Sequence, residues 1–189
     1  MEAVLKKEIR YTYKDYCSWP DGERWELIDG VAYAKAAPTL GHHSVTKKIF
    51  RQLDAFLHGK PCEAFFAPVA VRLNAYAKDD EVVEPDVFVV CDETKLKDGK
   101  CVVGTPDFIV EVLSPSTSDY DRITKLDLYQ RSRVREYWIA DPSSKTVTAH
   151  VLHDNIGYVI RTYDESATAA PVEALEGCAI NLAAVFEGL

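Results

Sequence analysis

Long apolar runs are missing from this 189-residue sequence: nothing in it approaches the ~18 consecutive apolar residues of a membrane helix. The opening stretch, MEAVLKKEIRYTYKDY, has no apolar run behind its charges, so a secretory signal is not expected. Also absent are a Walker A loop, G-x-G-x-x-G, a G-x-S-x-G elbow and H-E-x-x-H, so no nucleotide cofactor is expected. Cysteine is sparse and odd in number. The five residues Cys17, Cys62, Cys91, Cys101 and Cys178 include no CxxC pair. Neither a disulfide framework nor a zinc knuckle is expected from them. Free, mostly buried thiols in a reduced, cytoplasmic setting fit best. No repeat, low-complexity block or Pro/Gly/Ser-rich linker divides the chain. One domain over 1–189 is expected, with a core at about 11–142 and a tail at 143–189.

What remains is globular composition. Hydrophobic residues make up 47% and charged residues 28%, enough for a full core without staples. The net charge of −8 opposes coating of nucleic acid or membrane by bulk charge, while leaving room for one local basic face. Residues 12–19 suggest a short helix with Thr12 as N-cap and Pro20 past its end. Residues 24–36 alternate around Asp29-Gly30, a hairpin turn signal. Residues 42–58 have helical period, with Val45, Ile49, Leu53 and Phe56 or Leu57 on one face. Residues 64–73, 82–91, 107–113 and 135–141 suggest strands. Residues 117–131 suggest a helix opened by Ser and Thr caps. The tail suggests a β-hairpin and a short helix, with Gly157 and Gly177 at turns. This order predicts a mixed α/β (α+β) domain around one sheet. His150 and His153 form H-x-x-H, but three residues apart on a strand they face opposite ways, and both are expected at the surface.

The chemistry centres on Glu111, inside Phe108-Ile109-Val110-Glu111-Val112-Leu113. A strand apolar on both faces is buried. A carboxylate there is costly unless paired or bound to a metal, so a structural ion pair competes with a metal ligand or catalytic acid. Asp86 follows Pro85 at the start of another apolar strand, where a side chain can be aimed into a cleft. Asp107 lies roughly 13 Å along the strand from Glu111, too far to share an ion. Lys125 sits one helical turn after Asp121 and one before Tyr129; taken alone, the pairing with Asp121 reads as a surface ion pair.

Glu84-Pro85-Asp86 and PDFIVEVLSPSTSDYDRITKLDLYQRSRVREYWIADP together resemble the Uma family of restriction endonucleases, within the PD-(D/E)XK nuclease superfamily. RWELIDGVAYAKAAPTLGHHSVTKKIF resembles the family's opening segment. The resemblance implies a restriction-endonuclease-like central mixed sheet flanked by helices, acting as a Mg²⁺-dependent DNA endonuclease, with Mn²⁺ as a substitute and a homodimer as the working form. It maps Asp86 and Glu111 onto the motif's two acids and the Val112 carbonyl onto a third metal ligand. Leu113 stands where the motif has its lysine. Lys125, on the following helix, takes that lysine's place. Glu26 lies in a recurrent family block and is read either as a site residue or as an ion-pair partner. His42, at the start of a long helix, is a candidate for contacting phosphate or flanking the site. Asp121 and Tyr129 are further flanking candidates. An inactive nucleic-acid-binding or regulatory module on the same fold is the rival expectation. Local charge is compatible with DNA. Residues 122–136 carry five basic side chains against two acidic ones, and residues 42–60 carry four against one. Both stretches are where a phosphate backbone is expected to lie.

Overall fold

A computed structural model describes residues 9–20, 22–114, 120–154 and 156–189. The first helix, α1 (Tyr13–Tyr16), is shorter than the predicted 12–19. It begins as expected at Thr12, whose N–H and hydroxyl both donate to the Asp15 carboxylate at 2.8 Å. The hairpin of β1 (Trp25–Ile28) and β2 (Val31–Ala34) turns at Asp29 and Gly30. Their φ values of 50° and 72° are the left-handed pair that a two-residue turn between twisted strands requires. Helix α2 (Leu40–Leu57) is capped by Thr39, whose hydroxyl accepts from the His42 N–H at 3.2 Å. It buries Val45, Thr46, Ile49, Leu53 and Leu57, the stripe its period predicts plus one threonine.

Two predicted strands are each broken in two. Residues 64–73 become β3 (Glu63–Phe66) and β4 (Val71–Arg72), and residues 82–91 become β5 (Val82–Val83) and β6 (Val87–Val90). Pro68 and Pro85 lie in the gaps, and a residue without an N–H cannot continue a ladder. The breaks let the chain pass between two sheets where one was expected. Next come β7 (Val102–Val103) and β8 (Phe108–Val112). The predicted helix over 117–131 is a π-helical turn, Tyr120–Lys125, running into α3 (Leu126–Arg131). Its predicted caps at 117 and 118 lie outside the described residues. The chain ends with β9 (Glu136–Asp141), the hairpin β10 (Thr146–His153) and β11 (Gly157–Asp164), the small ladder β12 (Ala170–Pro171) with β13 (Ala179–Ile180), and α4 (Leu182–Phe186).

The larger sheet has six strands in the order β11-β10-β9-β8-β6-β3, with β8 and β9 parallel and the other neighbours antiparallel. The smaller has five, in the order β2-β1-β5-β4-β7. Strand alternation splits β8 between two cores. Phe108, Val110 and Val112 pack with α2, α4 and the C-terminal segment. Ile109 and Leu113 pack with α3 and the small sheet, and Glu111 points to that same side.

Two expectations need correction. Cys62 and Cys91 are joined in a disulfide, while Cys17, Cys101 and Cys178 are free. These two cysteines flank the cross-strand pair Glu63↔Val90, so the β3–β6 register sets them opposite each other, a proximity their separation of 29 residues conceals. Cys17 is exposed rather than buried. His150 is not at the surface: it pairs directly across from Tyr137 and is buried against that ring, 5.7 Å between centroids. His153, at the end of β10, is exposed as expected.

The C-terminal segment is held to the large sheet by a second buried acid. Glu136 on β9 accepts from Trp138 Nε1 at 2.5 Å and from the Ala174 N–H at 2.7 Å. Burial pushes its carboxyl up to about 7, opposed by those two hydrogen bonds. Glu136→Ala leaves two buried N–H groups without acceptors, each costing about 1–3 kcal/mol, so a loss of about 2–4 kcal/mol in urea unfolding is expected. A loss below about 0.5 kcal/mol, the scale of an ordinary surface change, would show that the segment is held by apolar packing alone.

Candidate active site

The β5–β6 crossover, at Glu84-Pro85-Asp86, brings the small sheet against the end of β8. Asp86 sits one residue before β6, which pairs with β8 through Val87↔Val110. Past the end of that ladder the Val112 N–H has no strand partner, and it donates to Asp86 Oδ2 at 2.8 Å. His42, in the first turn of α2, meets the same oxygen through Nε2 at 3.0 Å. Burial alone would raise the Asp86 carboxyl. The bond and charge of His42, aided by Lys35 and the Val112 N–H, outweigh it and hold Asp86 below the usual aspartate range.

Glu111 is 2% exposed. Its Oε1 accepts from Lys125 Nζ and from the Tyr129 hydroxyl, both at 2.8 Å. Burial, reinforced by Asp86 and Asp121, pushes its carboxyl up to about 8 against the pull of Lys125 and Lys35. Glu26 on β1 takes the opposite course. Burial would raise it too, but Lys125, Lys35 and the Glu84 N–H bring it down to about 2. Its Oε1 accepts from the Glu84 N–H at 2.9 Å and faces Lys35 Nζ at 3.2 Å and Lys125 Nζ at 3.1 Å, while Oε2 accepts from the Tyr120 hydroxyl at 3.2 Å. Asp121 completes the group, its Oδ1 3.6 Å from Lys125 Nζ.

Lys125 is thus no surface residue. It is 2% exposed and lies among three carboxylates from β1, β8 and the π-helical turn. Among these partners Asp121 sits farthest from it, although it is the one that helical spacing suggests. Leu113, at the motif's lysine position, is buried in the apolar cluster, and the ammonium arrives beside Glu111 from the following helix instead. Asp107 takes no part: it accepts from the Cys91 N–H at 2.9 Å and faces Arg135.

Glu26, His42, Asp86, Val112, Glu111, Asp121 and Lys125 all line one cleft of about 450 Å³. Tyr129 lies beneath it. Lys35 is a member that no motif announces, donating to the Glu84 carbonyl at 2.6 Å as well as facing Glu26. The hairpin register holds the signal for it. Tyr33 pairs directly with Glu26, so Lys35, two residues on, falls on the same face.

All hydrogen bonds to Asp86 run through Oδ2 and all those to Glu111 through Oε1, leaving Oδ1 and Oε2 without a hydrogen bond among the described residues. The Val112 carbonyl leaves its strand on the same edge as its N–H, toward Asp86. Among the described residues no set of three or more His, Cys, Asp or Glu side chains is arranged to hold a metal. The Asp86 and Glu111 carboxylates and the Val112 carbonyl are oxygen donors, the kind a hard cation takes one or two of while completing its shell with water.

One of the two expected basic stretches, 122–136, is weaker than the sequence suggests. Arg122 faces Asp141 at 3.2 Å, Arg131 faces Asp29 at 2.8 Å, Arg133 faces Asp154 at 2.6 Å and Arg135 faces Asp107 at 3.5 Å. These acids are distant in sequence, so counting charges within 122–136 misses them.

The model of the family described as "Uma2: Putative restriction endonuclease" matches residues 12–183. An uncharacterized protein of Synechocystis sp., slr1290, is 26% identical over 156 residues, covering 81% of this chain and 80% of its own. Another from the same organism, sll1609, is 27% identical over 121 residues, 63% of this chain and 67% of its own. Among solved structures, a "putative nuclease belonging to DUF820" from Anabaena variabilis shares the fold, with a TM-score of 0.74 at 17% identity, covering 93% of this chain and 97% of that one.

Lys125→Met removes the cation from three buried carboxylates. Breaking a buried ion pair from one side costs about 3–5 kcal/mol, so a loss of that size in urea unfolding is expected. An unchanged midpoint would mean that the carboxylates are held apart without it.

Proposed function

The chain belongs to the Uma2 family, and from that premise we propose that it is a metal-dependent endodeoxyribonuclease hydrolysing DNA phosphodiester bonds at the Asp86–Glu111–Lys125 cluster. The observation that carries this reading is the meeting of two acids from neighbouring strands, each with an oxygen to spare, beside a buried ammonium 2.8 Å from one of them. Asp86 Oδ1, Glu111 Oε2 and the Val112 carbonyl would hold Mg²⁺, or Mn²⁺ in its place. Such an ion supplies a water of lowered pKa and positive charge opposite the phosphate oxygens.

The chain's own groups do the rest. His42 and the Val112 N–H fix Asp86 through one oxygen and so aim the other into the cleft. Tyr129 and Lys125 fix Glu111 in the same way. The Lys125 ammonium lies where it can orient the attacking water and offset charge that builds on the phosphate. The water oxygen bonds to phosphorus and releases a proton to solvent, one bridging P–O bond breaks, and the departing ester oxygen takes a proton from solvent to end as a hydroxyl. Glu26 and Lys35 are positioning residues: they tie Lys125 and the Glu84 backbone together, two residues before Asp86.

A homodimer belongs with this reading wherever both strands of a duplex are cut, since each copy holds one cluster. The reading also places the protein in the cytoplasm with its DNA. In that compartment the Cys62–Cys91 disulfide is the unusual feature, since thiols there are kept reduced. The rival, an inactive binding module, gains from the same cluster, because Lys125 is already balanced by its three carboxylates.

Purified protein is expected to nick plasmid DNA with Mg²⁺ or Mn²⁺ and not with EDTA. Asp86→Asn and Glu111→Gln should each lower the rate at least about a hundredfold, the scale of removing one preorganised electrostatic group, and weaken Mn²⁺ binding in calorimetry. Nicking that survives both substitutions would remove the cluster from the chemistry. Mn²⁺ binding with no turnover would favour the inactive module.

A further inference from the structure

The walls of the cleft differ from its floor. The floor is charged, but beside it Phe66, the last residue of β3, is 51% exposed. This ring stands at the Asp86 end of the sheet: Phe66 pairs with Val87, and the next residue, Ala67, donates its N–H to the Asp86 carbonyl at 3.2 Å. It is braced from behind by Phe50, edge to face at 4.7 Å. Tyr33 and Tyr120, in contact with each other at 4.8 Å, also line the cleft. Ala34, Ala36, Ala37 and Pro38 add small apolar surface between them.

Cations free to grip a duplex are scarce there. Of those lining the cleft, Arg24 is engaged by Glu84 at 2.7 Å, Lys35 by Glu26 and Lys125 by Glu111. Around α3, Arg122, Arg131, Arg133 and Arg135 face Asp141, Asp29, Asp154 and Asp107. Lys47 and Arg51 on α2 do not line the cleft. A duplex is gripped chiefly by its phosphates, through many basic side chains, and it keeps its bases stacked on one another. A single strand offers open base faces, which stack on aromatic side chains with little regard for sequence.

We propose that the cleft takes unpaired DNA, with one base stacked on Phe66 while the adjoining phosphate lies over Asp86 and Glu111. This rests on the DNA-hydrolysis reading and names the substrate for it. Asp86 and Glu111 line a cleft of about 450 Å³, a volume in the range of small-ligand pockets of roughly 300–1,000 Å³. An extruded or single-stranded nucleotide suits such a space, and a stacked duplex does not. One strand needs only one cluster, so this substrate requires no second copy for cutting.

The test uses the full chain with a fluorescein-labelled oligothymidylate and a labelled duplex of the same length. Fluorescence anisotropy with Ca²⁺ in place of Mn²⁺ reports binding, and gel electrophoresis with Mn²⁺ reports cleavage. The single strand is expected to bind at least about tenfold more tightly than the duplex and to be cut faster. Phe66→Ala should weaken it about tenfold, the size of one base–aromatic stack, and Phe66→Trp should keep it tight. Phe66 is half exposed, so both variants are expected to fold, and circular dichroism checks this. Equal or tighter binding and faster cutting of the duplex, with Phe66→Ala silent, would overturn the proposal and leave the nuclease reading standing. Phe66-dependent binding of the single strand with no cleavage would support the stacking site and remove the nuclease reading. Absence of binding to both oligonucleotides would overturn the proposal.

Discussion

The burial of one ammonium organises this molecule. Lys125 is almost wholly removed from water, and an uncompensated charge there would be prohibitive. Compensation comes from Glu26 on the small sheet, Glu111 on the large sheet and Asp121 on the π-helical turn. Each of these acids is itself buried and needs Lys125 as much as it is needed. The two sheets and the helix after β8 are therefore locked in one relative placement by electrostatics that tolerate little slack. A hydrophobic cluster of similar volume would hold them about as well, since buried ion groups are often no more stabilising than apolar packing. That so much charge is kept at one point, against its desolvation cost, argues for chemistry there.

From that cluster the constraint spreads outward through backbone polar groups. Glu26 receives the Glu84 N–H, Lys35 donates to the Glu84 carbonyl, and the Glu84 carboxylate is taken by Arg24 and by Tyr16 of α1. Glu84 is thus held at its N–H, its carbonyl and its side chain just before Pro85, which denies the chain a ladder bond and releases it from one sheet to the other. Asp86 is the first side chain past that release. Its aim toward the Val112 N–H follows from where β6 stops pairing with β8. The π-helical turn does the corresponding work on the other side, carrying Asp121 and Lys125 on one wall before α3 resumes regular winding. Interruptions of this kind concentrate at functional sites because they redirect side chains that regular elements would point elsewhere.

Much of this was legible in the residues. Asp29-Gly30 names its own hairpin, the stripe through Val45, Ile49 and Leu53 names the buried face of α2, and an acid inside Phe108–Leu113 marks an anomaly that must be resolved by a partner. What stayed hidden depends on register and on contacts between distant segments. Cys62 opposite Cys91, His150 against Tyr137 and Lys35 beside Glu26 each follow from a strand pairing, and pairing is not written locally. Splitting of the strands at Pro68 and Pro85 was signalled by the prolines, but the second sheet they lead into was not. Lys125 shows the limit most clearly. Its helical neighbour Asp121 suggests a surface pair, whereas its shortest contact is Glu111 on the preceding strand and Glu26 meets it from the other sheet.

The acidic net charge of −8 acquires a structural meaning from the same contacts. A basic stretch read from sequence is an attractor for phosphate only if its charges remain uncommitted. Here Arg131 alone is faced by Asp29, Glu81 and Asp127, and its neighbours along the chain are likewise answered from other elements. Exposed pairs of this kind add little stability, but they flatten the potential around α3. In the reading proposed above, recognition of a polyanion would not rest on the surface around α3. That reading concentrates it at the cleft, where the aromatic surface of Tyr33, Phe66 and Tyr120 lies beside Asp86 and Glu111. A cation held there would, in that reading, offset locally the repulsion between a phosphate and an acidic protein.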